Sequence, residues 1–176
     1  MPLALENVSR AVPPQNTAGT GNHILVVERA DVTALPAPAD TDLTTAGSIP
    51  AASITLASGK SWKLIELTLD EGEVKSDPIG GRDHGTFRNT ATVSTARNNA
   101  QKVGLANYII NKDVIVLVPE RGLGQYRVMG TLADPAHIKP ASDSGNGPES
   151  KNQARFVIES IGPMAPYVSG TVTIGG

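Results

Sequence analysis

The run Asp-Val-Ile-Val-Leu-Val-Pro at Asp113–Pro119 is the most apolar stretch of this chain. It is far short of the ~20 apolar residues that a membrane helix requires, so it must be buried in protein. The residues around it order themselves as helix, strand, turn, strand. Upstream, Ala100, Val103, Leu105 or Ala106, and Ile109 or Ile110 recur at three-to-four spacing, which predicts a helix over Asn98–Asn111. Asn98 or Asn99 can cap its start and Asn111 its end. Gly104 within it costs ~1 kcal/mol against alanine, so the helix needs tertiary packing. Downstream, Glu-Arg-Gly-Leu-Gly at 120–124 turns the chain, and Gly124–Gly130 returns as the second strand of a hairpin.

The rest of the chain reads as strands and loops. His23–Arg29 is a continuous apolar run, the pattern of a strand buried on both faces. Ser61–Asp70 alternates, with Ile65, Leu67 and Leu69 on one side and Glu66, Thr68 and Asp70 on the other. Gly85–Thr95 alternates too: Phe87, Ala91 and Val93 share a face with Asn89, and Thr86, Arg88, Thr90, Thr92 and Ser94 share the opposite one. Paired as a hairpin across a loop at 71–84, these two strands would make a sheet with one apolar and one Thr-rich face. The polar side of such a sheet normally meets water. Gln153–Ser160 and Tyr167–Ile174 complete the strands, and 131–152 reads as loop, with Ser-Gly-Asn-Gly-Pro-Glu-Ser its most mobile part. Residues 1–22 read as an extended arm. Residues 31–60, broken by Pro36, Pro38 and Pro50, read as a long loop with a short strand at Ser53–Ala57.

The fold class is therefore mainly β: a β-sandwich or barrel of antiparallel strands with one flanking helix and long loops, in a single domain over 23–176 behind the arm. Aromatic residues are only 3% of the chain, so the core must rest on Val, Ile, Leu and Ala. A net charge of −2 leaves no basic footprint for nucleic-acid binding. Without cysteine, thiolate catalysis, disulfides and Cys-ligated zinc are excluded. No basic start precedes an apolar run at the N-terminus, so no secretory signal is expected, and Asn7-Val8-Ser9 then carries no meaning as a glycosylation sequon.

Site motifs are weak. Ser-Gly-Lys-Ser at Ser58–Ser61 lacks the upstream glycine of a phosphate loop, Ile54 standing in its place. Gly122, Gly124 and Gly130 lie in a hairpin and lack dinucleotide-loop spacing. Asp77, Asp83 and His84 share a glycine-rich loop, but His23 and His137 are distant in sequence, and ordinary loop polarity is the better reading. No Gly-x-Ser-x-Gly elbow appears. No catalytic set, cofactor or metal is expected.

Several segments read together carry a resemblance. They are Asp77-Pro78-Ile79-Gly80-Gly81-Arg82-Asp83-His84-Gly85-Thr86-Phe87, Asn107–Asn111, Gly124–Gly130, and Arg155–Ser160 followed by Pro163, Pro166, Tyr167 and Gly170. In this order, over roughly 61–176, they resemble the major tail (tail tube) proteins of tailed bacteriophages. The motifs are degenerate ones in matching order rather than a diagnostic signature. The resemblance implies a β-sandwich or barrel whose subunits form rings, usually six-fold, stacked into the conduit for genome ejection. It implies partners among its own copies and other tail proteins, and DNA that passes without specific binding. It implies no membrane, and a place in the virion tail after synthesis in the host cytoplasm. On that reading the polar faces of the two alternating strands would line the lumen, through Glu66, Thr68, Asp70, Arg88, Thr90 and Thr92. Arg88 fits a non-gripping wall only if Glu66 or Asp70 pairs with it across the strands. The 31–60 segment and the 71–84 loop, with Glu73, Lys75, Asp77, Arg82, Asp83 and His84, would reach neighbouring subunits. Other readings are a head decoration, tail terminator or baseplate protein, distinguished by copy number in the virion, and a cellular β-sandwich binding module or small enzyme, for which Asp83, His84 and His137 would have to meet in one pocket.

Overall fold

The computed structural model describes Val8 and residues 18–146 and 150–174. Most of the arm at 1–22 and part of the Ser144–Ser150 segment therefore lie outside the described residues. The chain is mainly β. Its strands are β1 His23–Glu28, β2 Val32–Ala34, β3 Ser48–Pro50, β4 Thr55–Leu56, β5 Lys63–Glu66, β6 Glu73–Ile79, β7 Thr86–Ala96, β8 Asp113–Pro119, β9 Tyr126–Met129, β10 Ala136–Asp143, β11 Gln153–Gly162 and β12 Tyr167–Ser169. Among the described residues two α-helices accompany them, a single turn α1 at Leu43–Ala46 and the longer α2 at Ala100–Ile109.

The apolar run at β8 is the centre of the molecule. One of its edges pairs with β1, Leu25 opposite Leu117 through Glu28 opposite Val114. The other edge is shared: β9 pairs with Val116–Pro119, and β10 with Asp113 and Val114. Both faces of β8 are covered as well. Val114, Val116 and Val118 point into one interior with Ile24, Val26, Ala91, Val93, Phe156 and Ile158. Ile115 and Leu117 point into a second with Leu25, Val27, Trp62, Val128 and Val168. Alternation is absent from β1 and β8 because neither strand has a wet face. Each such side chain withdrawn from water contributes roughly 1.5–3 kcal/mol.

From β8 the main sheet runs β10–β11–β7–β6 in antiparallel succession, while β9–β12–β3 form a shorter limb and β1–β5 the opposite one. The pairing of β12 with β3 is parallel, so the sheet is mixed rather than wholly antiparallel. The sheet bends until the residues after β5 reach β7, where the Thr68 N–H donates to the Ser94 carbonyl at 2.8 Å.

Several expectations are corrected here. Ser61–Asp70 does not pair with Gly85–Thr95; β5 is only four residues long and pairs with β1, Ile24 opposite Ile65. The partner of β7 is β6, formed by what reads in sequence as the 71–84 loop, with Val74 opposite Ala91 and Asp77 opposite Arg88. Its Glu-, Lys-, Asp- and Pro-containing sequence has poor strand propensity, which pairing along the long β7 edge overrides. Likewise the 131–152 loop contains β10, which holds Pro140 opposite Phe156 of β11. The last strand stops at Ser169, where Gly170 takes a φ of +95°.

The helix lies where its spacing predicts, and the Asn99 side chain caps it by accepting the Lys102 N–H at 2.9 Å. Ile110, not Asn111, is the C-cap. Only Ile109 is fully buried and Leu105 packs beside it, while Val103 and Ile110 face outward. The 31–60 segment holds β2, α1, β3 and β4. It closes the second interior with Leu35, Ile49, Ile54 and Leu56, so its apolar residues are used within its own domain. The expected strand near Ser53–Ala57 is present as β4, paired with β2.

Candidate assembly surfaces

The alternation of β7 puts Asn89, Ala91 and Val93 inside and Arg88, Thr90 and Thr92 outside, as the sequence predicts. Register then extends the outward face across four strands. Asp77, Arg88 and Ile161 form one row; Lys75, Thr90, Glu159 and His137 the next; Glu73, Thr92, Val157 and Lys139 the third. Arg155 and Asp143 follow in the next two rows, so four acidic and four basic side chains interleave on this face. Lys139 Nζ meets Glu159 Oε2 at 2.6 Å, and Lys75 Nζ meets Glu73 Oε1 at 3.1 Å. The carboxylate opposite Arg88 is Asp77, not Glu66 or Asp70.

The six residues expected to share a wall are thus divided. Arg88, Thr90 and Thr92 lie on the polar sheet face. Glu66 ends β5, opposite His23. Thr68 is half-buried at the seam between β5 and β7. Asp70 sits in a turn at φ +64° and forms an ion pair with Arg121. They separate because β5 and β7 are not hairpin partners. The second set divides too. Glu73, Lys75 and Asp77 belong to β6 and join the polar face, whereas Arg82, Asp83 and His84 occupy the exposed tip of the β6–β7 hairpin. That tip is tightly specified. Gly80 has φ +95°, and a Cβ there would fall 2.2 Å from the His84 carbonyl oxygen.

Among the described residues, β6 is the outermost strand of the long limb and pairs on one side only. Its charges and Pro78 are the features that guard an edge against indiscriminate pairing. Among the described residues β5 is likewise paired on one side. Between it and α2 lies a groove of about 1090 Å³, floored by Ile65, Leu105 and Phe156. At the groove's rim the Tyr108 hydroxyl donates to Glu28, and Lys112 reaches Glu28 Oε2 at 3.3 Å. Those contacts, the tyrosine hydroxyl first, hold the Glu28 carboxyl below the usual glutamate range. Tyr108 at that rim is about half exposed, as are Val103 of α2 and its C-cap Ile110.

A second polar cluster ties the short limb together. Arg127 Nε donates to Glu120 Oε2 at 3.0 Å, and its Nη2 to the Tyr167 hydroxyl at 2.8 Å. Tyr167 in turn donates to Glu120 at 2.6 Å. The guanidinium also stacks 4.6 Å from the Tyr167 ring centroid. The adjacent His23 Nε2 lies 2.8 Å from the Tyr126 hydroxyl, and burial lowers the His23 pKa. No sequence motif marks this cluster, since its members come from β1, β9, β12 and the end of β8.

Among the described residues, no three His, Asp or Glu side chains gather closely enough to hold a metal ion. His84 stands at the hairpin tip, far along the chain and the sheet from the His23–Tyr126 pair, and His137 lies on the polar face. Among the described residues, no helix is long and apolar enough to cross a membrane. No protein-family model, curated protein or solved structure matches this chain.

Proposed function

We propose that this chain is a self-assembling structural protein of the tail-tube kind, whose copies close into rings that stack as a conduit for DNA in a phage virion. The observation that carries the reading is the sheet β10–β11–β7–β6: one face is mostly apolar and covered, the other is broad, polar and charge-balanced, and among the described residues the sheet ends at an uncovered strand. A wall that passes DNA without holding it should present no net positive field, because each phosphate neutralised by Lys or Arg releases counterions and adds affinity. Interleaved Glu73, Lys75, Asp77, Arg88, Lys139 and Glu159 meet that condition. The half-exposed Val103 of α2 and its C-cap Ile110 supply apolar area suited to contact between copies.

Electron microscopy of the purified protein tests the reading, with light scattering on the same sample. Rings or tubes of a single repeating subunit are expected. Protein that stays strictly monomeric at millimolar concentration, showing neither rings nor tubes, overturns it.

A further inference from the structure

Residues 163–166 join β11 to β12. Backbone groups along this connection are fastened to the sheet. The Pro163 carbonyl accepts from Asn89 Nδ2 at 2.8 Å, and the Ala165 N–H donates to Asn89 Oδ1 at 3.1 Å. The Pro166 carbonyl accepts from the Val128 N–H at 2.9 Å. Ala165 is 3% exposed, so its side chain is turned inward. Met164 stands between these anchors with its side chain on the other side, 49% exposed. Proline on one side of it fixes φ near −65°, and hydrogen bonds hold the backbone on both. The segment therefore has little freedom to turn the thioether under cover.

This methionine differs from Met129, which is 0% exposed in the first interior. Met1 lies outside the described residues. The chain has no cysteine, so no thiolate competes for a two-electron oxidant, and the thioethers are left to react with it. Met164 packs into neither of the two interiors.

We propose that Met164 is a reversible oxidation site. A sulfur lone pair attacks one oxygen of hydrogen peroxide and the O–O bond breaks. The sulfur is oxidised by two electrons to the sulfoxide, and the peroxide is reduced to water. A methionine sulfoxide reductase with a thiol as reductant returns the thioether, the thiols becoming a disulfide and the oxygen leaving as water. The change puts a polar side chain in place of an apolar one, on a stretch where Ile161 is also half exposed. Neither interior is altered, so the fold persists in both states, whether or not the copies assemble.

The test is peroxide treatment of the full chain, with peptide mapping by mass spectrometry to locate each added oxygen. Met164 should gain its oxygen at least about a hundredfold faster than Met129, because a fully buried thioether reacts only from opened molecules, a fraction of ~10⁻³ or less. In urea above the unfolding midpoint the two should react at equal rates. Protein oxidised at Met164 with Met129 intact should melt within about 2 °C of the parent, and the reductase should remove the oxygen from the folded chain. Similar rates at Met164 and Met129 in the folded chain overturn the proposal. So does a larger fall in melting temperature on oxidation of Met164, or a sulfoxide there that the reductase reaches only after unfolding.

Discussion

Asn89 should be the most costly polar side chain to remove. It is 3% exposed on the apolar face of β7 and holds three groups from two other segments: Ser76 Oγ at 2.6 Å, the Pro163 carbonyl at 2.8 Å and the Ala165 N–H at 3.1 Å. These do not weigh equally. Pro163 is exposed and Ser76 half-buried, so water can replace Asn89 for both. Ala165 is 3% exposed, and its N–H would be stranded, at ~1–3 kcal/mol. The space left by the carboxamide adds a cavity term. Asn89→Ala should therefore destabilise by about 2–4 kcal/mol, against a total stability of ~5–15 kcal/mol for a typical domain. With a urea slope of ~2 kcal/mol/M, the midpoint should fall by about 1–2 M. Ser76→Ala should cost under ~1 kcal/mol, and amide exchange at Ala165 should quicken in the Asn89 variant alone. If Asn89→Ala stays within ~0.5 kcal/mol of the parent, or Ser76→Ala costs as much, the argument from the stranded amide is wrong.

Two further outcomes follow from the same geometry. Gly130 joins β9 to β10 at φ +91°, and a Cβ there would lie 2.5 Å from the Ala136 backbone nitrogen; Gly130→Ala should cost about 2 kcal/mol or more, read by urea unfolding. Glu71 accepts from Lys151 and, at 2.5 Å, from Ser94 Oγ. These bonds, that of Lys151 first, hold its carboxyl below the ordinary value of 4.5. A depressed carboxylate stabilises the fold above its unfolded pKa and loses that contribution as pH falls through the folded one. Stability should thus decline from about pH 4.5 downward, and Glu71→Gln should flatten that acid limb in thermal melts recorded between about pH 3 and 6.

Pattern alone was enough for the elements whose own residues dictate their environment. Val114–Val118 and Ile24–Val27 are apolar without interruption because both faces are buried, and each forms a central strand. The period of two in Gly85–Thr95 sorts Ala91 and Val93 from Arg88, Thr90 and Thr92 correctly, and it already placed Asn89 on the apolar side. Asn99 announces the start of α2 because a helix's first amides need a side-chain acceptor.

Pairing is what the sequence left open. A strand's hydrogen bonds go to whichever edge the fold brings beside it, and no residue in Ser61–Asp70 specifies β1 over β7. Tertiary structure made that choice, and with it moved Glu66, Thr68 and Asp70 away from Arg88, Thr90 and Thr92. It also drew Glu73–Ile79 and Ala136–Asp143 into strands against their weak propensities, because a neighbouring strand's unpaired amides and carbonyls outweigh local preference. The Arg127–Glu120–Tyr167 cluster is of the same kind. Its members are scattered along the chain, and only the folded sheet brings them together.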